Sequence, residues 1–376
     1  MRLEAEVGAV SVGSEFIGSS FQPVRPNGHP RPLVMRCGAL GDMTMLTPLI
    51  RALAARFGQP VDIVSSGPWT ASLLEGQLGV GDLFLVKSRR RPYFVSPDQW
   101  RLVRQLRNRG AGPTWFMDLQ GIGRQLLTRA GIGPEWIIDA EAVPLLSGEH
   151  GLDRLLSLAA INPPGLVTPP PAPAIPTAAA TMLVSSNSAR QEVVDWLARL
   201  GLHGRPFLVA QAGNKRTMRR GRRRRPSNQK YWPESRWVGV IGAMRERCPE
   251  HAILLLGVAS ESALNEDILR LAHCRDVFNV AADRSVTFLV ALLEMADGMV
   301  SVDTGPAHVA AAVGLPLVVM FRGADAIQYV PRGVPGGPVI CVRADPPGTL
   351  EGVTEESVVN AWRRLSLRSE GAHPLT

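Results

Sequence analysis

Two short segments, far apart in the chain, carry carboxylates in settings suited to chemistry. In Gly38-Ala-Leu-Gly41-Asp42 an acid closes a glycine-punctuated turn, and in Asp303-Thr-Gly-Pro-Ala-His308 an acid opens one. A turn that leads into a helix offers unpaired backbone N–H groups and the positive end of the helix dipole, so the Asp303-Thr304-Gly305 turn is a seat for a phosphate. Pro306 fits the first helical turn, where its missing N–H costs nothing, and His308 two residues on would face the same space. Asp42 calls for a different role. A carboxylate beside a glycine loop repels a dinucleotide pyrophosphate, yet it suits a general base aimed at a neutral hydroxyl. The Gly-x-x-Gly-Asp spacing also departs from Gly-x-Gly-x-x-Gly, and no acid stands at a ribose-binding distance, which argues against NAD. The bland alternatives are an N-cap at Asp42 and an ordinary capped βαβ unit at Asp303.

The elements that must position these residues alternate. Apolar runs at 33–37, 61–65, 82–86 and 115–119 predict strands, with helical spacing around 43–57, 97–108 and 151–161. After residue 181 a helix near 188–200 precedes strands expected at 206–212, 252–257, 276–280, 297–302 and 316–321. Two alternating blocks imply two parallel sheets with helices on both faces, whose ligand crevices lie beyond the carboxyl ends of the strands. Both Asp42 and the Asp303 turn fall there. Between the blocks, residues 162–176 contain seven prolines, a composition that favours a semi-rigid extended connector. The expected division is a poorly ordered extension at 1–31, a first domain at 32–162, a linker at 163–181, a second domain at 182–350, and a final helix and tail at 351–376.

Composition narrows the class. The chain has 376 residues, enough for two cores, and no apolar run reaches the roughly 18 residues of a spanning helix. The first 31 residues lack a basic stretch followed by an apolar core, so no signal peptide is expected and the location is read as cytoplasmic. Four scattered cysteines without a C-x-x-C pair suit reduced thiols rather than zinc, and Cys37 reads as a small buried strand residue. The formal net charge is +8, and eight basic residues between Lys215 and Arg225 match that excess. Such a run is a solvated insertion, or attracts an anionic membrane or glycolipid, or binds nucleic acid; no RNA-binding signature or aromatic interleaving supports the last.

Taken together, Arg36-Cys-Gly-Ala-Leu-Gly-Asp-Met-Thr-Met-Leu-Thr-Pro48, Asp118-Leu-Gln-Gly121, Gln211-Ala-Gly213, Lys230-Tyr-Trp-Pro-Glu-Ser-Arg-Trp237, Leu254-Leu-Leu-Gly257 and Val302-Asp-Thr-Gly-Pro-Ala-His308 form an ordered set. The chain resembles glycosyltransferase family 9, the group of ADP-heptose:lipopolysaccharide heptosyltransferases, from about residue 33 to 333. The resemblance implies an α/β chain of GT-B fold, two Rossmann-like doubly wound domains facing a cleft. It makes Lys230 the lysine that reaches the donor pyrophosphate and Glu261 the acid near the nucleoside ribose, with a surface lysine and an exposed helix-start glutamate as the bland readings. Thr217 and Ser227 are both candidates for the hydroxyl that precedes the lysine in relatives. Departures are the basic insertion at 214–229 and Gln211, where many relatives carry His. The resemblance also implies that a final helix over 357–365 packs back toward the first domain.

The function expected is an inverting, metal-independent transfer of a sugar, heptose from ADP-heptose, onto a lipopolysaccharide core or related glycan. Asp42 would be the base on the Gly38 and Gly41 loop. Lys230, Thr304 and the N–H groups of Thr304 and Gly305 would hold the leaving diphosphate, Asp303 would bind sugar hydroxyls or fix the turn, and His308 would bond phosphate or sugar. No Asp-x-Asp motif implies a metal, and no cofactor is expected. The partners expected are a nucleotide-sugar donor, an anionic glycolipid acceptor and peripheral contact with the inner membrane. The alternative is a non-catalytic GT-B protein that binds an anionic polymer or glycolipid through its basic loop.

Overall fold

The computed structural model describes residues 31–89, 91–118, 122–172, 179–214, 217–218, 221–323, 326–334 and 337–371. Residues 1–30 of the expected loose extension, the Leu119-Gln-Gly121 motif, part of the proline run, and Lys215, Arg216, Arg219 and Arg220 lie outside them, whereas Arg31, the last residue of that extension, is ion-paired with Asp62 and Asp82.

The first domain runs β1 (Leu33–Met35), α1 (Leu40–Thr44), α2 (Thr47–Phe57), β2 (Val61–Ser65), α3 (Trp69–Leu74), β3 (Val80–Leu85), α4 (Pro97–Arg109), β4 (Thr114–Phe116), α5 (Ile122–Arg129), β5 (Ile137–Asp139) and α6 (Gly151–Ala160). The second runs α7 (Asn187–Arg199), β6 (Phe207–Gln211), α8 (Glu234–Arg247), β7 (Ala252–Leu255), α9 (Ser262–Ala272), β8 (Val277–Asn279), α10 (Val286–Met295), β9 (Gly298–Val302), α11 (Gly305–Ala312), β10 (Leu317–Phe321), α12 (Ala326–Tyr329), β11 (Val339–Arg343), α13 (Glu355–Arg364) and α14 (Arg368–Gly371). The sheets have the orders β3-β2-β1-β4-β5 and β11-β10-β9-β6-β7-β8, with every registered pair parallel. Each order reverses beside its first strand, at β1/β4 and at β6/β9, and a doubly wound sheet binds its ligand at that reversal. The Asp42 loop leaves β1 and the Asp303 turn leaves β9, so each candidate segment starts at a switch point.

All nine expected strands form, near the expected places. Two more, β5 and β11, occupy sheet edges; β5 is only three residues long, and β11 carries the short apolar run Val339-Ile-Cys-Val342, which lies outside the expected strands. The single helix expected over 43–57 is two. Pro48 has no N–H to donate and its ring would collide with the carbonyl four residues back, so α1 ends at Thr44 and α2 restarts with the proline in its first turn.

Three apolar clusters hold the frame. One covers the outer face of the first sheet, with Leu33, Phe116 and Leu106, and one the outer face of the second, with Trp232, Trp237 and Trp362. The largest passes through both domains, joining Met45, Leu46 and Leu155 to Ala307, Ala310 and Phe288. The final helix does not return to the first domain. Val358, Ala361 and Trp362 form the buried stripe of α13 and lie in the outer cluster of the second domain, beside α8. Removal of the Trp362 ring by Trp362→Ala is expected to cost about 3–5 kcal/mol in denaturant unfolding. Hydrogen exchange should quicken in β10 and leave β1 and β4 unchanged; faster exchange in β1 instead would contradict this placement.

Candidate active site between the two domains

The two candidate segments touch. A methyl group placed on Gly41 would stand 2.8 Å from Cδ2 of His308, and one on Gly305 would stand 2.8 Å from Cβ of Leu40. Helices α1 and α11 therefore cross at glycines, from opposite domains, closer than any side chain at either position would allow. Asp42 on α1 and the Asp303-Thr304-Gly305 turn at the start of α11 share one space as a result.

Asp42 is not the N-cap. It is the third residue of α1, and its Oδ2 accepts the Ala39 N–H at 2.8 Å, the carboxylate half of a capping arrangement. Its Oδ1 accepts from Arg36 Nη2 at 3.0 Å, yet the side chain remains 44% exposed. It is fixed at both oxygens and open to solvent, the combination a base acting on a diffusing hydroxyl needs.

Opposite it, Lys230 Nζ donates to Oδ2 and, at 3.2 Å, to the backbone carbonyl of Asp303. Lys230 reaches back because Trp232, buried and edge-on to Trp237 at 5.2 Å, anchors the segment, while Arg236 donates to the Glu351 and Val353 carbonyls. Thr304 caps α11, and its Oγ1 is buried without a partner. A buried hydroxyl left unsatisfied at a helix N-terminus can donate to an anion there. His308 is buried, and burial holds its imidazole below its usual pKa; Asp303 and Asp42 pull the other way, and Lys230 and His150 oppose protonation. His150 receives the Leu152 N–H at Nδ1, so Nε2–H donates to the Val330 carbonyl across the domain boundary, at 2.8 Å. Burial depresses its pKa as well.

Glu261 is buried rather than an exposed helix-start residue. Its Oε2 accepts the Val258 N–H at 3.0 Å and Gln211 Nε2 at 3.4 Å, Oε1 has no partner, and burial raises its pKa. It connects to the centre through Gln211, at the end of β6, and Asn214, whose Nδ2 reaches the Lys230 carbonyl at 3.5 Å. Thr217 accepts the Asn214 N–H at 3.0 Å, so its hydroxyl braces the loop; Ser227 also has a partner. The basic run is not all solvated. Arg225 is buried, donating to Glu234 at 2.6 Å and Asp267 at 2.8 Å, and breaking such a pair leaves uncompensated charge. Cys37 is half-buried just past β1, its thiol pushed up to about 11 by burial and then by nearby Asp118. Among the described residues no group of three or more His, Cys, Asp or Glu is arranged to hold a metal ion.

Sequence reasoning did not single out Arg36 or His150. Arg36 stands six residues before Asp42 and could have been paired with it; nothing in the sequence places His150 against Val330, 180 residues on.

The fold defines a GT-B protein, with two Rossmann-like domains and a crevice between them. Residues 149–334, just under half of the chain, match glycosyltransferase family 9 (heptosyltransferase), which is the family expected from the motifs. A stretch of 102 residues is 26% identical to lipopolysaccharide heptosyltransferase 3 of Escherichia coli, covering 27% of this chain and 30% of that protein, so the match spans under a third of the curated relative. The fold is similar to that of E. coli ADP-heptose lipopolysaccharide heptosyltransferase II, with a TM-score of 0.64 at 20% identity, covering 89% of this chain and 97% of the other. It is also similar to a family 9 glycosyltransferase from Veillonella parvula, at 0.69 and 14%, covering 89% and 96%.

The two depressed histidines have a consequence for stability. The unfolded chain binds their protons near pH 6.5 and the folded chain resists them, so folding loses stability as pH falls below about 6.5. His308→Gln is expected to flatten the fall in denaturant midpoint between pH 7 and pH 5; an unchanged slope would show that His308 is freely protonated in the fold.

Proposed function

We propose that the protein is an inverting glycosyltransferase that moves heptose from ADP-heptose onto a lipopolysaccharide core or a related glycan. The carrying observation is the open, doubly anchored carboxylate of Asp42, brought by the α1/α11 crossing to the same space as a helix N-terminus with an orphaned hydroxyl. The relatives' names supply the sugar and the nucleotide. Asp42 accepts the proton of the acceptor hydroxyl while that hydroxyl's oxygen forms the new bond to the anomeric carbon. The bond from that carbon to the diphosphate oxygen breaks, its electron pair leaves with the nucleoside diphosphate, and one displacement inverts the configuration. The leaving charge meets the first N–H groups of α11, the Thr304 hydroxyl and Lys230, donors aimed at where charge develops. Lys230 exchanges Asp303 for phosphate, which frees the Asp303 carboxylate for sugar hydroxyls. His308, neutral and beside Gly41, bonds sugar or phosphate without adding charge. Glu261, with Oε1 unpaired at the end of the β6/β7 side, receives the ribose.

The proposal is tested by nucleoside diphosphate release from ADP-heptose with and without deacylated core acceptor. Asp42→Asn should lower kcat about 10²–10⁴-fold while leaving nucleotide affinity intact. Wild-type activity in that variant, or no turnover of any nucleotide sugar by the native protein, would overturn the assignment.

A further inference from the structure

A second cationic stretch lies in the first domain. Between Lys87 and Arg109 stand one lysine and seven arginines against the single acid Asp98. Asp98 is occupied locally, accepting the Lys87 and Ser88 N–H groups at 2.8 and 2.7 Å and the Ser96 hydroxyl at 2.9 Å. Unlike the 215–225 run, this stretch interleaves its charges with aromatic and apolar residues, three of which are turned outward. Phe94 is 74% exposed, Val95 51% and Trp100 46%. Scattered exposed apolar residues are ordinary, but three within seven positions on one turn and the adjoining helix make a patch.

The patch is held in shape. Trp100 Nε1 donates to the Tyr93 carbonyl at 2.7 Å, tying the indole to the short 3₁₀ turn Tyr93–Val95 instead of the core. Gln99, buried beneath, donates to the Ser88 and Arg91 carbonyls. Arg129 lies over the Tyr93 ring at 4.5 Å, and its carbonyl accepts Arg107 Nε at 2.9 Å. Along α4 the buried face is Gln99, Leu102, Val103 and Leu106, so Trp100, Arg104 and Arg107, at i, i+4 and i+7, share an outer stripe. Arg89 donates to the Cys37 carbonyl at 3.3 Å, which sets the loop against the strand end from which the Asp42 turn departs.

We propose that this surface docks the protein on an anionic lipid bilayer, with Phe94, Val95 and Trp100 entering the headgroup layer and Arg91, Arg104 and Arg107 neutralising lipid phosphates. The charge is complementary, and the mixture of indole, phenyl and guanidinium is the one that an interfacial surface combines. The inference stands apart from the transferase reading, because vesicle binding needs neither donor nor acceptor. If both hold, docking brings the mouth of the Asp42 loop to a membrane-anchored acceptor.

The test is co-sedimentation of the full chain with vesicles of phosphatidylglycerol and phosphatidylcholine, against phosphatidylcholine alone. Binding is expected only to the anionic vesicles and should weaken with salt. Phe94→Ser combined with Trp100→Ser should lower partitioning on the order of tenfold, and Arg104→Glu with Arg107→Glu should abolish it, with unchanged circular dichroism and thermal midpoint. Arg104→Lys with Arg107→Lys should retain it, and Arg223→Glu in the other basic run should have no effect. Absence of vesicle binding, retention in the Phe94 and Trp100 variant, loss through Arg223→Glu, or tighter capture by single-stranded RNA that the same variants abolish would each overturn the proposal.

Discussion

Helices from two different domains meet at glycines, and the site depends on that approach. If α1 and α11 were held apart by one ordinary side chain at position 41 or 305, Asp42 and the Asp303 turn would no longer share one space. Glycine at either place loses more backbone freedom on folding than any other residue would. What offsets it is the apolar cluster that passes from α1, α2 and α6 into α10 and α11, so the interface is the continuation of a core rather than a surface contact. His150, capping α6 while donating to Val330, and Arg332, paired with Asp153 at 2.7 Å, clip the same boundary with polar groups.

This arrangement divides labour by domain. The first supplies a carboxylate anchored by an arginine and a backbone N–H; the second supplies a lysine, a helix N-terminus and an unpaired hydroxyl. Negative and positive elements thus face each other across a short gap, while the buried neutral His308 lies between them without adding charge. Lys230 rests on Asp303, a contact that satisfies both ions while no anion competes, and a diphosphate carries more charge than one carboxylate with which to draw the lysine away.

Much of this was legible in the sequence, for physical reasons. Central parallel strands are buried on both faces and read as continuous apolar runs, so β1, β2, β6, β9 and β10 stood out, and their order fixed where loops with Asp42 and Asp303 would emerge. Of the four edge strands β3 and β8 were expected, whereas β5 is too short to stand out and the brief run of β11 follows a proline- and glycine-rich stretch that reads as loop. The docking of α13 on the second domain was hidden because an amphipathic stripe states that a face is buried and not against what; resemblance pointed the wrong way. Charge is only partly legible for a similar reason. A count of basic residues gives prominence to 215–225 without showing that Arg225 there pairs with Glu234 and Asp267, or that the sparser arginines of α4 lie beside exposed aromatics. Long-range pairings such as His150 with Val330 leave no mark in a single chain.

The most direct measurement is a crystal structure of the protein with ADP bound. The account predicts the diphosphate at the N-terminus of α11, its oxygens accepting from the Thr304 and Gly305 N–H groups and the Thr304 hydroxyl, with Lys230 Nζ moved from Asp303 onto phosphate and Asp42 left facing the gap. A nucleotide seated away from α11, or Lys230 still bonded to Asp303 beside a bound diphosphate, would contradict it.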